Sequence, residues 1–295
     1  TISTGGATYW NQAAFSTTGK SVAKYFADNS YGNVSVTPVT HSQAGNPAGV
    51  VSVTLSRNHP NCSLSCTYAT ESSWINAALL AASSFVNFAA LDSNGDGIIA
   101  IEETLVYFVL AGYEAASTSL TPSIWAHAWG GPGVGVAGKT INHWALNGER
   151  YSSTELMRMG TMAHEVGHAM GGLPDLYDTS GTNGGLGYFS LMSAGNWLAK
   201  SGEVPGTTPV GLDAWSRQYL GWSSPRVPTN GATLSLGSGQ LSSTSAVMLR
   251  NTALSSSEYW LVENRTPVNW DEGLALAMGT GWTGGLLIQH LDLNV

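Results

Sequence analysis

Apolar residues recur at helical spacing in two long stretches of this chain. From Ser73 to Leu91 the series Ile75, Ala78, Leu79, Ala82, Val86 and Ala89 advances by three and four, the repeat of one face of an α-helix. A second helix is predicted from Ser152, where Ser152 and Glu155 have capping-box spacing, to Gly171 and Gly172, where the backbone can leave helical geometry at little cost. Its stripe is Leu156, Met159, Ala163, Val166 and Met170, with the opposite face left for a cleft. Shorter helices are predicted over SVAKYFADNS (21–30) and around LDAWSRQYLGW (212–222). Period-two alternation predicts strands at NVSVTPVT (33–40) and GVVSVTLS (49–56), and TLVYFVLAG (104–112) reads as a buried strand. VMLRN (247–251), EYWLVENR (258–265) and GGLLIQHLD (284–292) are further strands, while residues 112–150 read as Gly-rich and irregular. Helices and strands alternate irregularly, which suits an α+β fold without a parallel doubly wound sheet.

Composition narrows the function classes. Only 10% of the 295 residues are charged, with 11 Lys and Arg against 19 Asp and Glu, for a net charge of −8. Soluble domains average about 25% charged. With 36 Gly, 11 Trp and 43% hydrophobic residues, this is a folded, neutral-polar chain rather than a disordered one. The absence of a Lys/Arg run argues against nucleic acid or an anionic membrane as partner. No stretch approaches the ~20 apolar residues of a membrane span, since the richest, Ala77–Leu91, is interrupted by Ser83, Ser84 and Asn87. The chain opens at Thr1 without Met, so any targeting segment is expected to have been removed or left out. Cys62 and Cys66, four apart in NHPNCSLSCTY, are expected to form a local disulfide, which favours an extracellular location.

The second helix carries HEVGH. Four residues place His164 and His168 on one helical face, able to ligate one ion, with Glu165 beside them. Chance produces HExxH about 0.006 times in a chain of this composition, so coincidence is a weak competitor. Imidazoles suit Zn²⁺, and a catalytic site needs a third protein ligand while leaving a position for water. AMGGLPDLYD (169–178) offers Asp175, the preferred ligand, and Asp178 as the alternative; either can instead accept a histidine N–H.

HEVGHAMGGLPDLYD followed by YFSLMSAGNW resembles the immune inhibitor A-like family of secreted metalloproteases, in the metzincin branch of zinc peptidases. SVAKYFADNSYGNVSV, the DSNGDG segment, SIWAHAW, VGLDAWSRQYLGW, EYWLVENR and GGLLIQHLD resemble further landmarks in the family's order. The resemblance implies a metzincin-like zincin fold forming one catalytic domain over residues 1–295. Its mixed sheet and long active-site helix would lie in subdomains of about 1–172 and 173–295 flanking a cleft. It further implies a secreted zinc endopeptidase acting on protein or peptide substrates, with Glu165 as general base and Met192 in a Met-turn beneath the metal. His127, His143 and Tyr177 are expected to be structural. A monomer is expected. Asp175 lies eleven residues after His164, one more than the family's HExxHxxGxxD, so Gly171 or Gly172 reads as an insertion. The family's apolar first strand is not visible in TISTGGATYWNQ, and the chain stops just after LIQHLD, as expected of a fragment or processed form. The rival expectation is an inactive peptidase-like binding module or adhesin with structural metal sites.

DSNGDGIIAIEE (92–103) matches a calcium loop. Asp92, Asn94 and Asp96 stand at positions 1, 3 and 5, Gly97 at 6, the Ile98 carbonyl at 7, Ile99 at 8 and Glu103 at 12. A structural Ca²⁺ is expected there, pinning the helix before the loop to the strand after it.

Overall fold

The computed structural model describes residues 6–63, 66–178, 180–251, 257–279 and 281–292. Its helices are α1 (Gly6–Phe15), α2 (Val22–Asn29), α3 (Tyr68–Ala82), α4 (Met159–Gly171), α5 (Ala214–Tyr219) and α6 (Leu274–Ala277). Its strands are β1 (Ile98–Ile99), β2 (Val106–Glu114), β3 (Ser123–Ile124), β4 (His127–Val136), β5 (Lys139–Arg150), β6 (Ala246–Leu249), β7 (Glu258–Arg265) and β8 (Gly285–Asp292). The chain divides into two compact units, one of residues 1–22 and 37–172, the other of residues 23–36 and 173–295.

In the first unit β5 is the axis of a mixed sheet. β2 pairs with it in parallel from Val106–Trp144 onward, and β1 extends that edge through Ile98–Thr140. β4 runs antiparallel along the other edge, and β3 adds to the far side of β2 in parallel. The pairing of β4 with β5 corrects the expectation of irregular structure over 112–150. Glycines hid the alternation: Gly133 has φ +79° at a break in register, and a Cβ there would lie 2.7 Å from the Ile141 carbonyl oxygen. The β4–β5 turn places Ala137 and Gly138 both in left-handed geometry (φ 52° and 73°), as a two-residue hairpin turn requires.

α3 begins earlier and ends earlier than its apolar stripe predicts. The Thr67 side chain caps it by accepting the Thr70 N–H, and it stops at Ala82 instead of Leu91. There the Ser83 hydroxyl bonds back to the Leu80 carbonyl (2.7 Å), a local competition that Ser offers a helix. Only a short 3₁₀ turn, Phe88–Leu91, follows. Trp74, Ile75 and Leu79 of α3 pack with Trp144 and Leu146 of β5, Ile99 and Ile124 in the unit's main core. The Cys62–Cys66 disulfide is formed, and Cys62 packs against this core.

Three further expectations are corrected. Residues 33–40 and 49–56 belong to no strand. Val34, Val36 and Val39 alternate half-buried with exposed neighbours, but Pro38 interrupts the run of ladder donors in the first of these segments. Residues 6–15 form α1, with Trp10 and Ala13 buried, where the expected family strand was not visible in the sequence. α4 starts at Met159, not near Ser152. Ser152 Oγ does accept the Glu155 N–H (3.2 Å). However, the Tyr151 and Ser152 N–H groups bond the Glu155 carbonyl, and the Met157 N–H returns to Glu149. The would-be capping box therefore closes a reversal after β5, with Leu156 bridged to Arg150.

The second unit is built on the antiparallel sheet β6–β7–β8. Beneath it lies a buried ionic cluster. Arg265 bonds both Asp271 oxygens (2.5 and 2.7 Å) and Glu263 (3.2 Å), while Arg217 bonds the other Glu263 oxygen (2.6 Å). α2 docks on residues 210–212 through the Tyr25 hydroxyl to the Val210 carbonyl (2.7 Å) and the Leu212 N–H to Asn29 (2.8 Å). Across the described residues ten of the 30 charged side chains are buried: Glu71, Asp92, Glu114, Glu149, Glu165, Asp213, Arg217, Glu263, Arg265 and Asp271.

Candidate active site

α4 packs on β4 and β5, and every residue from Met159 to Gly167 is buried. The helix is therefore sunk on all sides through those nine residues, with His164 and Glu165 only 7% and 4% exposed, while His168 and the rest of the last turn are half-buried. Its entry is held from outside: the Tyr9 hydroxyl bonds the Met157 carbonyl (2.6 Å), and Arg158 reaches both Tyr9 (3.2 Å) and Glu155 (2.7 Å). At its end Gly171 remains helical, and Gly172 turns left-handed (φ 62°), returning its N–H to the Gly167 and His168 carbonyls. Gly171 thus closes the helix and Gly172 forms its cap.

The Nε2 atoms of His164 and His168 lie 3.1 Å apart, with the rings perpendicular and their centroids 4.6 Å apart. Asp175 completes a group whose ligand atoms all lie within 4.8 Å of one another. Two imidazole nitrogens bound to one zinc at ~2.0–2.1 Å in tetrahedral geometry stand about 3.3–3.4 Å apart, so the donor set fits that ion. Among the described residues this is the one such group of His, Cys, Asp or Glu side chains. Asp178 is employed elsewhere, accepting from Ser180 (2.6 and 2.8 Å), from Thr182 and from Asn183 (3.2 Å). Those bonds, led by the Ser180 hydroxyl, hold its carboxyl well below the usual range. The Leu176 N–H, next to Asp175, bonds the Met192 carbonyl (2.7 Å), and Met192 is fully buried.

Behind the helix, the Tyr107 hydroxyl of β2 is buried without a hydrogen-bond partner. Burial, then the charges of Glu165 and Glu114, push its pKa well above 10.0. Burial also raises Glu114, against three backbone N–H bonds from Ala126 (2.9 Å), Gly148 (3.0 Å) and Ala116 (3.2 Å). Neither residue stands out in the sequence, because a Tyr and a Glu in a buried strand have no motif; only the 58-residue separation closed by the fold brings Tyr107 near Glu165.

The sequence matches the family model of the immune inhibitor A peptidase M6 catalytic domain over residues 16–224. The chain belongs to the immune inhibitor A peptidase family. It is also 30% identical over 145 residues to the pre-pro-metalloprotease PrtV of Vibrio cholerae serotype O1, in strains M66-2 and ATCC 39315 / El Tor Inaba N16961. Those alignments cover 44% of this chain and only 15% of the relatives' length.

The other sequence candidates of this immune inhibitor A peptidase domain have these surroundings. His127 Nε2 bonds Glu71 of α3 (2.8 Å) and its Nδ1 the Trp125 carbonyl (2.8 Å), while Trp144 donates to the second Glu71 oxygen (2.6 Å). His143 bonds the neighbouring Asn142 side chain (2.8 Å), and Tyr177 is exposed. In the 92–103 loop Gly97 takes φ +90°, and the carboxylates already have hydrogen-bond partners within the loop and, for Asp92, on β5. Asp92 accepts the Gly95 and Gly97 N–H groups (2.8 and 3.0 Å) and pairs with Lys139 (2.6 Å). Asn94 accepts from Asp96 (2.9 Å), and Asp96 from Ile98 (2.8 Å). Glu103 bonds Ser93 (2.6 and 2.7 Å), Asn94 (3.1 Å) and Ala100 (3.1 Å).

Proposed function

We propose that this domain is a secreted zinc-dependent endopeptidase that hydrolyses protein or peptide substrates. The observation that carries the reading is the convergence of His164, His168 and Asp175, with Glu165 next in sequence to the first of them. These three side chains would hold the ion. A zinc ion held there would supply Lewis acidity, able to acidify water and polarise a peptide carbonyl. Glu165 takes up the proton of the attacking water and hands it to the leaving amine. Its burial keeps bulk water from that exchange. Among the described strands none pairs with the outer edge of β4, so an extended substrate segment can add there by backbone hydrogen bonds. The Cys62–Cys66 disulfide supports an oxidising, extracellular setting.

Hydrolysis of an unstructured protein with and without a zinc chelator, beside Glu165→Gln, tests the reading. Chelator-sensitive cleavage that the variant loses supports it. Equal cleavage by the variant refutes the base, and absence of both zinc and cleavage in the parent favours an inactive binding module. A second reading concerns the 92–103 loop: Asp92, Asn94, Asp96, the Ile98 carbonyl and Glu103 would hold a structural calcium ion, supported by matching residue types at six loop positions and by the sharp turn at Gly97.

A further inference from the structure

A hydrogen-bonded path within the second unit runs from the start of α5 to the peptide that carries Asp175. Ser190 is fully buried. Its Oγ donates to Asp213 Oδ2 (2.7 Å) and accepts the Met192 N–H (3.1 Å). The Met192 carbonyl accepts the Leu176 N–H (2.7 Å), and the Leu176 carbonyl accepts the Leu186 N–H (2.9 Å). The far end of the path is anchored. Asp213 caps α5, is fully buried, and also accepts from the Ser216 N–H (3.0 Å), the Ser216 hydroxyl (2.7 Å) and Gln289 of β8 (2.9 Å). The next residue, Ala214, donates its N–H to Glu263 of the buried ionic cluster (2.9 Å). Close packing prevents the path from being lengthened by an inserted side chain: a Cβ on Gly185 would lie 2.1 Å from the Leu176 carbonyl oxygen.

We propose that Ser190 and Asp213 are positioning residues, fixing Asp175 through the backbone of Met192 and Leu176. The inference rests on the reading of Asp175 as a zinc ligand. Its asymmetry separates it from an ordinary structural role. Losing the Ser190 hydroxyl leaves Asp213 with three donors, so the α5 cap persists. The bond that disappears is the one to the Met192 N–H, at the turn that holds Leu176.

The test measures zinc affinity of the full chain by competition with a chromophoric chelator, the visible spectrum of the Co²⁺-substituted protein, and thermal melting of the metal-free form. Ser190→Ala is expected to weaken zinc binding ~10–100-fold, the range for lost support of a metal ligand. It should shift the Co²⁺ bands while the metal-free melting temperature stays within a few degrees. Ser190→Thr, which keeps the Oγ, should restore affinity. Unchanged affinity in Ser190→Ala, or a loss matched by equal metal-free destabilisation, overturns the proposal. Asp175→Ala is the control: if it binds zinc as the parent does, the reading of Asp175 fails and the proposal with it, whereas weak zinc in Asp175→Ala beside normal zinc in Ser190→Ala refutes the positioning role alone. Should Ser190→Ala not fold, amide exchange on the parent decides. Zinc is expected to slow exchange at both Leu176 and Met192, and an effect at neither overturns the coupling.

Discussion

The Nε2 atoms of His164 and His168 face each other at 3.1 Å, a separation set by one turn of a buried helix. Replacing either with Ala is expected to abolish stoichiometric zinc and reduce hydrolysis at least ~10³-fold, since two protein ligands remain where a catalytic zinc site takes three. Asp178→Ala should leave zinc affinity within ~2-fold of the parent, because its oxygens are already committed to Ser180, Thr182 and Asn183. Metal analysis after gel filtration checks both.

Glu165→Gln keeps the shape of the side chain and removes the base. Cleavage should fall by ~10²–10⁴-fold at unchanged zinc stoichiometry, measured on the same preparations. Parallel loss of metal would mean that Glu165 acts on the ion's binding rather than on the proton.

The His127–Glu71 pair makes stability pH-dependent. Burial lowers the His127 pKa, but the Glu71 hydrogen bond and charge, with the Trp125 carbonyl, outweigh it and leave it raised above 6.5. A raised folded pKa contributes stability that is complete below ~6.5 and fades as pH rises through the folded value. Urea midpoints should therefore show His127→Gln costing more at pH 6 than at pH 9. An equal deficit at both would mean that the imidazole acts by packing alone.

Asp92 has the opposite sign. The Lys139 hydrogen bond, opposed by burial and reinforced by the Gly97 and Gly95 N–H groups, lowers its pKa below 3.8. Its contribution is present above ~3.8 and lost as acid passes the depressed value. In calcium-free buffer Lys139→Met should melt lower than the parent at pH 7 and pH 5, with the gap closing only in stronger acid.

Removing calcium with a chelator should lower the melting temperature of the parent, and Glu103→Gln should abolish that calcium response. A melting curve indifferent to calcium would remove the metal from the 92–103 loop and leave a self-satisfied turn.

The HEVGH helix and the carboxylate that converges on its histidines were legible because the grouping is local: HEVGH and Asp175 lie within twelve consecutive residues. β2, β7 and β8 were legible from their apolar runs. What escaped was set by neighbours in space. β4 looked irregular because glycines at its bulge make room for β5 backbone. Ser152 and Glu155 have cap spacing, yet the carbonyl of Glu155 is taken by Tyr151 and Ser152 across a reversal. Ser190 and Asp213 meet across 23 positions, which no short motif can signal.

The ten buried charges comprise eight carboxylates and only two guanidinium groups. Subtracting them from 19 acidic and 11 basic residues leaves eleven and nine outside, a balance of −2 over the rest of the molecule. Neighbouring molecules thus meet a sparse, nearly balanced exterior that neither strongly repels nor attracts ions at close range. Among the described residues added electrolyte has few surface pairs to loosen.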